Sequence, residues 1–527
     1  MYRIAAIFLV PVGLLAGALL WSGSRAQLRA DFVFVNRGDV KNLDPLKMTY
    51  LQDIRLGYAL WEGLYTLDPV SLKPVPGMAE RIEISDDRTT YTFTIRPSAK
   101  WSNGDPVLAE DFAFAWERML RQQGDYADLL HYIKGAKAYQ EACSKNRPAD
   151  FAEVGIEVLG PKQLRVTLKH PTAIFPDILA FPPAFPLHRA SMMEQDPTTG
   201  GWRERAQWTR PPGLVSNGPY RLRDWRMKDR VELVANEHYW DRAKVKCKTI
   251  NMLSMENEQT QLSSFEAGEV DWLSDMTGEV GAELYRAGHP RLHVFTGFGT
   301  YFYSFNCKEQ LPDGSANPLR DVRVRQALSM AVDKQFIVEG ITRMGQQVAT
   351  TYIPPGVFKD YRSPAGLPFD VERAQKLLAE AGYPQGRGFP KLKINFNNEG
   401  QHRPIAEYLQ RQWKQNLGLD FVLDGKELKT FGEQLRNKRY AVSRASWIGD
   451  YDDPSTFTDK YRSTAGNNDA AWVNAEYDRL CAAADVEADP QKRRALYEQA
   501  EAILLEEAPI MPLYHYVNAN KKSPRVK

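Results

Sequence analysis

Hydrophobic and polar positions alternate strictly in TYTFTIRP (90–97), where Tyr91, Phe93 and Ile95 fall on one face, and that period of two predicts a half-buried strand. FVFVN (32–36) and QLRVTLK (163–169) are also read as strands. SNGPYRLRDWR (216–226) is a turn running into a strand, and RVELVANEHYW (230–240) pairs with it as a hairpin-like unit. Helical spacing takes over in LQDIRLGYALWEGLYTLD (51–68), through Leu56, Leu60, Leu64 and Leu67, and LAEDFAFAWERML is a helix after the WSNGDP turn (101–106).

The second half has a different rhythm. YFYSFN (301–306) predicts a strand, DVRVRQALSMAVDKQFIVEGI (321–341) one long helix, and FDVERAQKLLAEAG (369–382) a helix stopped by Gly382. LKINFN is a strand, HRPIAEYLQRQWKQNLG a helix stopped by Gly418, LDFVL a strand, KTFGEQLRNKRY a helix and AVSRASW (441–447) a strand, with two helices between 475 and 507. Alternating strands and helices predict an α/β lobe with a mainly parallel sheet, whose ligands collect at the carboxyl ends of the strands. SRASWIGDYDDPSTF (443–457) sits at such an end.

A chain of 527 residues, 43% hydrophobic, buries a large core and exceeds the usual size of one domain, so two or more lobes are expected. The net charge of +2 gives no reason to expect nucleic acid as a partner. The 24 Tyr, 23 Phe and 12 Trp suit aromatic walls around a ligand and equally suit a packed core, which is the default. MYR, the apolar residues 4–21 and the small residues Ser24 and Ala26 read as a secretory signal. The alternative is an uncleaved anchor, with Pro11, Gly13 and Gly17 against it. Either reading places the body outside the cytoplasm, in the periplasm. Cys143, Cys247, Cys307 and Cys481 form no CxxC, and their pairing is not legible.

Catalytic motifs are missing: no GxxxxGK[ST], GxSxG or HExxH occurs. His289 and His293 have i, i+4 spacing, but Pro290 disfavours a helix through both, so a zinc site is not expected. Nothing calls for a cofactor or an enzymatic activity.

Several phrases in this order resemble one family: LWEGLYTLD, VPGMAERIEISDDRTTYTFTIRPSAKWSNGDPVLAEDFAFAWER, SNGPYRLRDWRMKDRVELVANEHYWD, LRDVRVRQALSMAVDK, AQKLLAEAGYP and SWIGDYDDPSTF. The chain is similar to the extracytoplasmic solute-binding proteins of peptide-transporting ABC systems, family 5, from about residue 32 onward. The resemblance implies the two-lobed α/β fold of periplasmic binding proteins (type II-like, with an extra subdomain), closing about a hinge of two chain crossings. It implies residues 1–30 as signal or anchor, 31–61 and 191–298 as the first lobe, 62–190 as its accessory subdomain, 299–517 as the second lobe and 518–527 as the return to the first. Relatives continue beyond SPRVK527 for about another strand, so an edge element of the first lobe is expected to be missing here or the sequence to be incomplete.

In the oligopeptide-binding members, the aspartate of the DYxxP phrase pairs with the amino terminus of the bound peptide, and Asp450 occupies that position. A carboxylate enclosed between lobes is costly unless a cation meets it, and a peptide ammonium supplies one. Asp452 and Asp453 read as turn and helix-start acids ahead of Pro454. Trp447 aligns with a tryptophan lining a side-chain pocket. Arg444, six residues before Asp450, and His402 align with basic residues that take the peptide carboxyl end. A further lysine of relatives falls on Thr342, with Arg343 beside it as a substitute. Two bridging cysteines correspond to Gly299 and Ile448, a pocket tryptophan to Leu428 and a cleft glutamate to Ser304.

The function implied is capture of short peptides, extended between the lobes by backbone bonding, and delivery to an ABC permease and its ATPase subunits by a monomer. Alternatives on the same fold are a binder of another small solute (dipeptide, cell-wall peptide, nickel chelate or oligosaccharide) and a membrane-tethered peptide receptor. A secreted hydrolase is disfavoured by the missing motifs.

Overall fold

The computed structural model describes residues 29–36, 38–487 and 489–526. Of the expected signal or anchor at 1–30, residues 1–28 lie outside them. Among the described residues no helix is long and apolar enough to cross a membrane.

Most of the predicted elements form where the pattern placed them. Thr90–Ile95 is a strand whose residues alternate between buried and half-buried, and it sits in an antiparallel sheet ordered Ala79–Ile84, Thr90–Ile95, Gln163–Thr167, Ile156–Gly160. Tyr220–Arg226 and Arg230–Ala235 pair antiparallel. The helix His402–Leu417 ends at Gly418, whose φ of +73° is the left-handed conformation that glycine adopts without a side-chain clash.

Three expectations fail for local reasons. The helix from residue 51 stops at Leu60, not near 68, and Tyr65–Leu67 is a strand. Tertiary contacts fix that stop: Glu62 is buried and accepts hydrogen bonds from Tyr239 Oη and, at 2.8 Å, Trp240 Nε1. A Cβ on Gly63 would lie 2.3 Å from the Leu179 carbonyl, so the chain is pressed against its neighbour there. The single helix predicted over 321–341 is broken into Val322–Met330, Lys334–Phe336 and a π-helical turn Ile337–Thr342. Asp333 restarts it, its carboxylate accepting from Gln335 N–H at 3.0 Å.

The third correction concerns the main sheet, which is mixed rather than mainly parallel. Its strands run in the order Tyr220–Arg226, Arg230–Ala235, Thr249–Ser254, Phe32–Asn36, Trp272–Leu273, Ile510–Lys522, Leu292–Phe305, Val442–Ile448, Leu392–Asn397, Phe421–Lys426. Phe32–Asn36 is parallel to both its neighbours and Leu392–Asn397 to both of its own. Between these parallel blocks lie two long antiparallel strands, Leu292–Phe305 and Ile510–Lys522, paired along nearly their whole length with register irregularities between Thr296 and Thr300 and between Tyr301 and Phe302. One end of the pair adjoins the first block, where Leu273 pairs with Lys521, and the other adjoins the second, where Tyr303 pairs with Arg444.

Separate apolar cores flank this sheet. One large core joins Phe34 and Met252 to Phe93, Trp101 and Trp116. Others gather Tyr303, Leu328 and Trp413, and Phe302, Tyr352 and Phe457. A small cluster has a different character: Tyr451, from the loop after Val442–Ile448, is seated among Ile174, Ile178, Leu129 and Tyr132 of the first half of the chain.

Candidate functional site

The strand Val442–Ile448 carries Arg444 and Trp447, and the segment that follows carries Asp450. Residues three apart in a strand project to opposite faces. The predicted site residues therefore separate into groups instead of converging on one cavity.

Asp450 and Trp447 line a cavity of about 230 Å³ between residues 125–170 of the first half and 447–485 of the second. The Asp450 N–H donates to Thr456 Oγ1 at 2.8 Å, and Trp447 Nε1–H donates to the Thr456 carbonyl at 2.6 Å. One threonine thus fixes both. Tyr126 Oη approaches Asp450 Oδ1 at 3.5 Å from across the cleft. Asp450 retains some exposed surface, but it opens into the cavity, and protein surrounds it otherwise. Burial pushes its pKa up to about 7, and the Tyr126 hydroxyl only partly opposes this. No cation among the described residues pairs with it.

Arg444 and His402 form a second group. Arg444 lies 5.2 Å from the Tyr301 ring centroid and 6.0 Å from that of Phe431, and its Nε is buried with no hydrogen-bond partner. His402 stacks on Tyr301, its ring centroid 5.5 Å from that of Tyr301 and its Nδ1 3.0 Å from Tyr301 Oη. Arg343 belongs to neither group: it has a φ of +56° after the π-helical turn and faces Glu279 Oε1 at 4.0 Å. Thr342 is buried, its hydroxyl 2.9 Å from Gln346 Oε1. Ser304, which the resemblance suggested as a changed cleft position, is also fully buried and lies 3.0 Å from Tyr440 Oη. Gly299 and Ile448 are direct cross-strand partners, and all four cysteines are free.

Asp453 is a helix-start acid, accepting from Ser455 N–H at 2.9 Å, and it also holds Arg493 in a two-pronged ion pair. Sequence reasoning missed that pair, and it missed the opposite wall of the cleft. Tyr126 and Tyr132, whose hydroxyl donates to Asp459 at 3.1 Å, come from the irregular stretch DYADLLHY, where no periodicity separates a cleft aromatic from a core one. Lys460, buried against the Trp447 ring at 4.9 Å and paired with Asp469 at 2.6 Å, was equally silent.

Comparison with known proteins bears on this geometry. The sequence profile of bacterial extracellular solute-binding proteins, family 5 Middle, matches residues 73–469. The oligopeptide-binding protein OppA of Bacillus subtilis (strain 168) is 35% identical over 87% of this chain and 82% of its own length. The fold superposes on the murein tripeptide binding protein MppA of Escherichia coli with a TM-score of 0.81 at 30% identity, covering 94% of both chains. Against the unliganded open form of MppA the score falls to 0.66, at the same identity and over 94% of this chain and 93% of that one. The lobes here are therefore arranged differently from that open form, in keeping with Tyr451 and Tyr126 bridging the cleft. OppA of Haemophilus influenzae in complex with RPPGFSPFR gives 0.80 at 28% identity over 94% of both chains. The chain belongs to the bacterial extracellular solute-binding proteins of family 5, a family of two-lobed α/β binding proteins.

Proposed function

We propose that this protein captures short peptides outside the cytoplasm and hands them, as a monomer, to an ABC permease whose ATPase subunits supply the energy. The observation that carries this reading is the Asp450 carboxylate: walled in by protein, its pKa raised to about 7 by burial, and without a paired cation among the described residues. A peptide ammonium supplies the missing charge and hydrogen bonds. Arg444, with a buried and unsatisfied Nε, and His402 take the other end of the ligand. Arg444 lies within the strand Val442–Ile448 and Asp450 two residues past its end, a path of at most about 20 Å for six steps of ~3.3 Å, which leaves room for a peptide of a few extended residues. Trp447 lines the pocket of an early side chain, and Arg343 serves only longer ligands.

The same reading divides the chain at 298/299 and 517/518, where the paired long strands pass from one parallel block to the other and the Thr296–Thr300 irregularity loosens their register. Residues 31–61, 191–298 and 518–527 form the first lobe, 62–190 its accessory subdomain and 299–517 the second lobe. Closure about these crossings brings Tyr126 over Asp450. Native mass spectrometry of freshly purified protein tests the function. Co-purified peptides of mixed sequence are expected, and a single non-peptide mass overturns the proposal.

A further inference from the structure

Five neighbouring strands of the main sheet, Thr249–Ser254, Phe32–Asn36, Trp272–Leu273, Ile510–Lys522 and Leu292–Phe305, come to one end together. Ile250 is level with Phe32, Phe34 with Trp272, Trp272 with Lys522, and Lys521 with Leu292. This end is remote from the ligand site. Leu292 is six residues before Phe298, whose carbonyl accepts from Gly449 N–H next to Asp450, or about 20 Å along the strand at ~3.4 Å each.

Nearly every strand end here carries an exposed cation. Lys246 and Lys248 precede Thr249, Arg29 precedes Phe32, Lys522 closes its strand with Arg525 just beyond, and Arg291 precedes Leu292. Acids are fewer. Asp271 is buried and shared by Arg29 at 3.0 Å and Arg525 at 3.6 Å, Asp31 accepts from the Lys248 and Thr249 N–H groups at 2.6 and 3.1 Å, and Glu269 is exposed. Six cations against three carboxylates leave a surplus of three, on a chain whose total is only +2. The flanks do not cancel it: Lys521 answers Glu266, Arg221 pairs with Glu237 at 3.7 Å, the charges of Arg286 and Glu283 balance, and Lys244 pairs with Asp241 at 2.8 Å while Arg242 adds a further cation. Lys246, Lys248, Arg291 and Lys522 have no ion pair among the described residues.

We infer that this row of strand ends is a docking surface for the anionic headgroups of a lipid bilayer, holding the protein at the membrane with the cleft left free. Two features select a bilayer over a soluble anion. The cations follow five strand ends, about 19 Å at ~4.8 Å per strand, instead of surrounding one pocket, so they suit many headgroups and not one. The chain also enters the fold through the row, at Arg29, so only residues 22–28 separate it from the apolar residues 4–21. Those seven residues reach at most about 25 Å at ~3.6 Å each. Each Lys or Arg close to an anionic surface adds about fivefold in affinity, and salt screens the effect.

Co-sedimentation of the full-length protein, at limiting lipid, with vesicles of phosphatidylcholine alone or of equal parts phosphatidylcholine and phosphatidylglycerol tests this. Partition onto the anionic vesicles is expected to exceed that onto phosphatidylcholine by about tenfold or more at about 0.1 M salt, and to fall to parity at about 1 M. Lys246→Gln/Lys248→Gln/Lys522→Gln removes three exposed, unpaired cations and should erase most of that preference, while its peptide titration matches the parent's. Lys376→Gln/Lys391→Gln/Lys393→Gln removes the same charge from exposed positions of the second half and should keep the preference. Equal partition of the unaltered protein onto the two vesicles overturns the inference, because any binding then comes from the apolar segment alone. Equal losses in the two triple variants also overturn it, since total charge and not this row would then be responsible. Neither outcome touches peptide capture, which the peptide titration reads separately.

Discussion

Tyr126 and Asp450 meet across the cleft, hydroxyl to carboxylate at 3.5 Å, from positions 324 residues apart. The Tyr126 ring is steadied edge-on by Phe181 at 4.9 Å, so the hydroxyl has a fixed aim. Among the described residues it is the one side-chain hydrogen bond that draws the Asp450 pKa down against burial. Tyr126→Phe should therefore leave the fold intact and weaken peptide binding by ~0.5–1.5 kcal/mol, about two- to tenfold, measured by titration calorimetry.

Asp450→Asn should act in opposite directions on binding and on stability. Peptides with free amines lose ~3–5 kcal/mol, because their ammonium is left enclosed without its anion. The unliganded protein gains. With a folded pKa near 7, above the usual value of 3.8, the native state holds a proton that the unfolded chain has released, so this group makes stability fall as pH rises between those values. The variant should be more stable than the parent by ~1–3 kcal/mol at pH 8 and no more stable at pH 3, as read by denaturant titration at each pH.

Tyr451 is expected to act as a latch. Its side chain is buried among Ile174, Ile178, Leu129 and Tyr132, contacts that join opposite sides of the cleft. Tyr451→Ala removes ~1.5–3 kcal/mol of apolar burial from the closed form. Peptide affinity should drop about ten- to a hundredfold, and small-angle scattering of the peptide-saturated variant should show a larger radius of gyration than that of the saturated parent.

The Asp453–Arg493 pair is structural. Both side chains are largely buried, and Arg493 also donates to the Ala484 carbonyl at 3.0 Å. Arg493→Met should destabilise the protein by ~3–5 kcal/mol, because Asp453 keeps its charge without its partner. Adding Asp453→Asn should recover part of that loss, as a thermal melt of the single and double variants would show.

Local pattern carried much of the fold. The alternation in 90–97 and the Gly418 stop depend on period and backbone chemistry, and both stand in the structure. Where partners distant in sequence decide, the pattern misled. Leu64 and Leu67 have helical spacing, yet Glu62 is held by Tyr239 and Trp240, nearly 180 residues away, and the helix ends before them. The sheet reads as alternating strands and helices, but the two strands that join its halves are antiparallel, a pairing of residues near 300 with residues near 515 that no local signal encodes. Asp450 was legible through a motif and the cost of enclosing its charge. Its opposite wall was not: Tyr126 and Tyr132 sit on an aperiodic stretch that becomes cleft only when the lobes meet. Parity along the strand puts Arg444 and Trp447 on opposite faces, so the five candidate residues never shared one cavity.

The most direct measurement compares one peptide with a free amine and the same peptide acetylated, titrated into the unaltered protein at pH 7.4 in a calorimeter. If Asp450 receives the ligand ammonium, acetylation costs ~3–5 kcal/mol, a hundredfold or more in affinity. Equal affinities for the two forms would contradict the account.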